Sequence, residues 1–131
     1  MQDVFGIQIG MSANDVELLI GSFDLVQVRE THFKCDLVDF VDRGLSLYFN
    51  PKTRILETIK CYAPFKHPIN GITIGMPLNQ VKELLGKPSR INPFPDDDPA
   101  LIWIYYGNEF GSGLRIDFDK KKNGNVVVMY L

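Results

Sequence analysis

Residues 6–21 of this chain, Gly-Ile-Gln-Ile-Gly-Met-Ser-Ala-Asn-Asp-Val-Glu-Leu-Leu-Ile-Gly, return 65 positions later as residues 71–86, Gly-Ile-Thr-Ile-Gly-Met-Pro-Leu-Asn-Gln-Val-Lys-Glu-Leu-Leu-Gly, with nine of the sixteen positions identical. Such a repeat constrains the fold more tightly than composition does. Both copies must form the same local structure and bury equivalent apolar positions. The copies also close alike: Gly44-Leu45-Ser46-Leu47-Tyr48-Phe49 matches Gly113-Leu114-Arg115-Ile116-Asp117-Phe118. Two copies fall short of the three or more that a solenoid needs, so they are expected to share one core. The reading is a single domain over residues 1–131, with internal repeats 5–63 and 70–131 joined by a linker at 64–69.

Each copy opens with a helix. Ser12 is a good N-cap with Asp15 three residues on, where a carboxylate meets the positive end of the helix dipole. Val16, Leu19 and Ile20 then recur at helical spacing, and Gly21 stands where a left-handed residue ends a helix. The twin starts at Pro77, buries Val81, Leu84 and Leu85, and stops at Gly86 before Lys87-Pro88. Strands follow at 23–31, 34–42, 44–50 and 55–62, and at 101–106, 112–119 and 125–131, with Asn123-Gly124 as a hairpin signal. The expected fold class is α+β: two tandem helix-plus-antiparallel-meander repeats forming one continuous antiparallel sheet with helices on one face.

Alternation then sorts the strand residues. Leu45, Leu47, Phe49, Leu114, Ile116, Phe118, Ile59 and Val128 are assigned to the core. Tyr48, Tyr62, Arg115, Asp117 and Met129 are assigned to the other face. Trp103 and Tyr105 lie in a strand apolar on both sides, and either parity adds aromatic area to that surface. Beside it stands the run Asp96, Asp97 and Asp98, and Asp36, Asp39 and Asp42 offer a second acidic stripe.

The pattern of Ile-x-Ile-Gly-Met, a capped two-turn helix ending in Leu-Gly-Lys-Pro, a Trp-x-Tyr strand and a Gly-Leu-x-Ile-x-Phe strand resembles the repeat unit of the β-lactamase inhibitor protein fold. It is similar also to the small lipoprotein of the outer-membrane barrel-assembly machinery, which has one such unit. Residues 72–88, Trp103, Tyr105 and 113–118 carry the match; the first copy has Ile20-Gly21-Ser22-Phe23 in place of Leu-Gly-Lys-Pro and no Trp-x-Tyr. The resemblance implies a protein-binding module without enzymatic chemistry, in which a concave sheet grips a partner through exposed aromatic and charged side chains. Small acidic bacterial proteins of this size also resemble immunity proteins that neutralise a toxin.

Composition narrows the classes. A net charge of −2, with 23% charged residues, argues against a nucleic-acid phosphate binder. No apolar run approaches a membrane span, and no basic segment followed by an apolar one opens the chain, so no membrane partner and a cytoplasmic location are expected. Cys35 and Cys61 are read as small buried apolar residues, with a strand-to-strand disulfide as the alternative. His32 and Cys35 differ by three positions and so point to opposite faces of a strand, which argues against a nucleophile pair or a zinc site there. His67 belongs to the linker. The three adjacent aspartates lack the alternating spacing of a calcium loop. Lys120-Lys121-Lys122 reads as a solvated hairpin tip.

The expectation is therefore no catalytic residue, metal or cofactor. A protein partner, a basic toxin or enzyme, is held by Tyr48, Tyr62, Asp96, Asp97, Asp98, Trp103, Tyr105, Arg115, Asp117 and Met129. The alternative is a small-ligand-binding domain or an assembly or scaffold domain using the same concave sheet.

Overall fold

The computed structural model describes residues 4–30, 33–92, 101–107, 113–120 and 124–131. The protein is α+β; the described residues form two α-helices and eight β-strands, and every strand pairing described is antiparallel. By its contacts the chain divides into two compact units, Met1–Lys60 and Cys61–Leu131.

In the first unit, α1 (Ala13–Ile20) precedes β1 (Val26–Glu30), β2 (Phe33–Phe40), a 3-10 turn (Val41–Arg43), β3 (Leu45–Phe49) and β4 (Leu56–Tyr62), whose last two residues run past the unit boundary, in the strand order β1-β2-β3-β4. The Ser12 hydroxyl accepts from the Asp15 N–H at 3.1 Å, the N-cap that the sequence expects. Leu45, Leu47, Phe49, Leu56 and Ile59 are buried, with Ile7 and Val16 alongside. Phe23, just past α1, stacks on Phe49 at 5.9 Å and meets Phe40 edge-on at 6.0 Å. That contact holds the end of α1 on the core face of β2 and β3. Phe49→Ala would remove its centre at a cost of about 3–5 kcal/mol.

The second unit contains α2 (Leu78–Leu85), β5 (Arg90–Asn92), β6 (Leu101–Gly107), β7 (Gly113–Asp119) and β8 (Asn125–Tyr130), in the strand order β8-β7-β6-β5. Its core holds Ile72, Val81, Ile104, Leu114, Ile116, Phe118, Val126 and Met129. Tyr106, opposite Leu114 in the register, donates its hydroxyl to the Gly86 carbonyl at 2.9 Å and so ties the end of α2 to the core face.

The Ile-Gly-Met run makes matching bonds in each unit. Gly10 N–H donates to Leu56 O at 2.9 Å and Leu56 N–H to Met11 O at 2.8 Å; Gly75 N–H donates to Val126 O at 2.8 Å and Val126 N–H to Met76 O at 2.9 Å. Gly10 and Gly75 have φ of +96° and +93°, a conformation that side chains resist. Two residues later, Ala13 N–H bonds Arg54 O at 2.9 Å and Leu78 N–H bonds Gly124 O at 3.1 Å, which anchors each helix start to the turn that leads into β4 or β8.

Several expectations are corrected. Met129 is fully buried, whereas Val128 is only half-buried and pairs with Asp117. The cause is a bulge: the register steps from Asp117↔Val128 to Phe118↔Val126, and the skipped Val127 inverts the parity. Leu19 and Leu84 are about half exposed, leaving Ala13, Val16 and Val81 as the buried helix residues. Pro77 sits at the N-cap in extended backbone instead of opening the first turn. β5 adds a strand that the sequence reading lacks. Gly21 (φ 91°, ψ 170°) and Gly86 (φ 78°, ψ −153°) have the expected positive φ, yet occupy a region open essentially only to glycine and not the left-handed helical one.

Candidate functional site

In the second unit, the strand register gathers one face opposite the core. Tyr105 pairs with both Arg90 and Arg115, Arg115 with Tyr130, and position 103 with both Asn92 and Asp117. Cross-strand neighbours share a face, so these residues form adjacent rows. The Arg90 guanidinium lies 4.9 Å over the Tyr105 ring, and that of Arg115 lies 4.9 Å over the Tyr130 ring. Arg115 also grips Asp117 with two nitrogens, Nε at 2.9 Å and Nη2 at 3.1 Å. Such a forked contact fixes the guanidinium plane.

The surface is built from the backbone outward. Gly107 and Gly113 pair at the end of the β6–β7 ladder, and a Cβ at either would overlap the Tyr105 ring. The missing side chains make the room in which the ring lies. Tyr105 therefore covers a glycine pair as well as presenting aromatic area.

Of the residues expected to bind a partner, the structure brings Tyr105, Arg115 and Asp117 together. Trp103 has its backbone in the same rows, while its side chain lies outside the described residues, as do Asp96, Asp97 and Asp98. Tyr62 is half-buried in β4, and Tyr48 is half-buried in β3 opposite Leu37. Met129 belongs to the core and leaves the set. Asp117 is buried and orients the Arg115 guanidinium. Arg90 and Tyr130 were not anticipated; Arg90 follows Leu-Gly-Lys-Pro in a three-residue strand with no alternation to mark it.

The proposed acidic stripe does not form. Asp36 and Asp39 are three positions apart in β2 and face opposite ways: Asp36 pairs with Phe49 on the core side, Asp39 with Ser46 on the other. The Ser46 hydroxyl hydrogen-bonds to Asp39, which explains how a serine of outward parity is buried. Asp42 lies in the 3-10 turn.

Asp36 instead sits in a cleft of about 650 Å³ lined by Ser12, Asn14, Glu17, Gln27 and Arg54 among others. Its carboxylate is buried and accepts from Arg54 Nη1 at 2.8 Å through Oδ2, while Oδ1 has no hydrogen-bond partner. The Asn50 turn delivers Arg54. Asn50 Oδ1 accepts from the Lys52 and Thr53 N–H groups at 2.9 and 3.1 Å, and Asn50 O accepts from Arg54 N–H at 2.8 Å. Arg54 then takes φ +60°, unusual for a residue with a side chain. The repeat could have flagged it, because the residue whose carbonyl does the same work in the second unit is Gly124, with φ +69°.

Both cysteines are buried, and they form no disulfide. Burial pushes the Cys61 thiol from an ordinary 9.0 up to about 12, which makes it a poor nucleophile. His32 lies outside the described residues, and His67 is exposed against the Phe65 ring. Among the described residues there is no group of three or more His, Cys, Asp or Glu able to hold a metal ion, and no helix is long and apolar enough to cross a membrane. No protein-family model, curated protein or solved structure matches the chain.

Proposed function

We propose that this protein is a tandem-repeat binding module that recognises another protein, acting as an inhibitor or immunity protein and carrying out no turnover of its own. The observation that carries the reading is the row of paired arginines and tyrosines on the face opposite the second unit's core: Arg90 over Tyr105 and Arg115 over Tyr130. Tyrosine, tryptophan and arginine are the residue types that dominate binding energy at protein interfaces. Here they are held by a strand ladder, a glycine pair and an ion pair, so little ordering entropy is left to lose on association. The matched hydrogen bonds of the two units support a tandem repeat, and the resemblance to the β-lactamase inhibitor fold supports the use of a sheet face. Tyr48, Tyr62 and Trp103 extend the binding set, with the 96–98 aspartates steering a basic partner.

The mechanism is occlusion: the sheet face covers the functional surface of a toxin or enzyme. The test is co-expression with the product of the adjacent gene, followed by co-purification with wild type, Tyr48→Ala, Arg90→Ala and Tyr105→Ala. Growth rescue and a complex lost in the variants at unchanged melting temperature is the expected result. A complex retained by all variants, or lost only when they unfold, rejects this face as the interface.

A further inference from the structure

We propose that the cleft beside α1 in the first unit is a binding site for an organic cation, an alkyl guanidinium or ammonium group. This site is separate from the sheet face above, and its failure or success leaves that reading untouched.

The charged lining of the cleft is mostly negative. Glu17, Asp24 and Asp36 line it against a single cation, Arg54. Asp36 lines the cleft and is 3% exposed, and its Oδ1 lacks any hydrogen-bond partner. A buried carboxylate oxygen left unpaired is costly, and the group that relieves it must be a hydrogen-bond donor. A cationic donor suits it best, since it also offsets the excess negative charge.

The fold itself does not call for this arrangement. Phe49 and Phe118 close matching strands of the repeat; Phe49 pairs with Asp36, and Phe118 pairs with Ile102. The counterpart of Arg54 is Gly124. The second unit therefore builds the same corner from an isoleucine and a glycine. The first installs a buried carboxylate and an arginine in a backbone conformation that glycine takes without strain. A charge couple that a sister unit does without points to a ligand.

An anion fits less well. The first turn of α1 is already served: Ser12 Oγ accepts from Asp15 N–H at 3.1 Å and Arg54 O accepts from Ala13 N–H at 2.9 Å. Three carboxylates then outweigh the helix end. The Arg54 side chain is 56% exposed, so it can turn outward while Asp36, fixed in β2, receives the incoming donor.

Agmatine is the probe, with inorganic phosphate as the control of opposite charge and N-acetyl-arginine methylamide to separate a free small cation from a partner's side chain. Titration of the labelled protein should give saturable amide shifts confined to Asn14, Gln27, Asp36 and Arg54. Glu17→Gln with Asp24→Asn should weaken binding by roughly tenfold or more. The double variant Asp36→Ile, Arg54→Gly, which copies the second unit, should keep its melting temperature and lose binding. Saturation by agmatine alone identifies a small-molecule cation; saturation by both probes identifies a site that also takes an arginine side chain. No saturation by agmatine, tighter binding of phosphate, or unchanged agmatine affinity in the double variant would overturn the proposal. Should that variant fail to fold, the Glu17 and Asp24 substitutions decide.

Discussion

The ring of Tyr105 fills the space that a Gly107 side chain would need. A Cβ there would overlap the ring, and so would one at Gly113 across the ladder. Neither glycine has a positive φ, so their role is steric and not conformational. Gly107→Ala should therefore expel the ring and its Arg90 partner, costing about 1–3 kcal/mol as an overpacking change. Tyrosine ring resonances that shift toward solvent-exposed values, with a lowered melting temperature, would show this. A silent substitution would mean that the ring has another stable seat.

The two arginines of that face are expected to behave differently. Arg115 neutralises Asp117, whose side chain is 3% exposed, whereas Arg90 is exposed and stacks on a ring. Removing Arg115 takes two hydrogen bonds from a buried carboxylate. Arg115→Ala should cost about 2–4 kcal/mol, reduced from the fully buried case because Arg115 is itself partly solvated. Arg90→Ala should cost no more than about 1 kcal/mol. Urea denaturation of both variants checks the order, and equal losses would remove Asp117 from the account.

The α+β class was legible in the strand and turn pattern, and the nine identities in sixteen residues coincide with like glycine conformations and helix-anchoring bonds. Side-chain parity was legible only where the ladder is regular. It succeeds for Leu45, Leu47, Phe49, Leu114, Ile116 and Phe118, and it fails at Met129, because one bulged residue turns every later side chain over. Tyr105 and Arg115 share a face for a reason that spacing cannot reveal, namely which residues of β6 and β7 stand opposite. The Asp36–Arg54 pair was hidden for a related reason. Its members are 18 residues apart and meet only because the Asn50 turn throws Arg54 into a left-handed conformation beside β2.

Cys61 should be chemically silent in the folded protein. It is fully buried, and its thiol is held protonated up to about pH 12. Alkylation by iodoacetamide at pH 8 should proceed only after denaturation. The raised pKa also has a sign in stability: above pH 9 the unfolded chain gives up this proton while the folded chain keeps it. The thiol's contribution is thus intact below pH 9 and is lost between pH 9 and 12, at up to about 1.4 kcal/mol per pH unit. Cys61→Ala should flatten that alkaline decline, and an unchanged decline would assign it to other groups.

Gly21 and Gly86 offer a test of whether the two units obey one design. Both end a two-turn helix, both donate their N–H to the carbonyl four residues back at 2.9 and 2.8 Å, and both hold φ near +80° to +90° with extended ψ. A Cβ at either meets no atom within 4 Å, so any penalty for alanine comes from the backbone and not from a clash. Each substitution should cost about 1–3 kcal/mol, the price of a side chain in a region that only glycine occupies freely. Because the geometry matches, the two costs should agree within about 0.5 kcal/mol and add in the double variant, the sites sharing no partner. Thermal denaturation of Gly21→Ala, Gly86→Ala and the pair measures all three. A loss confined to one glycine would show that the repeated sequence is under different strain in its two settings.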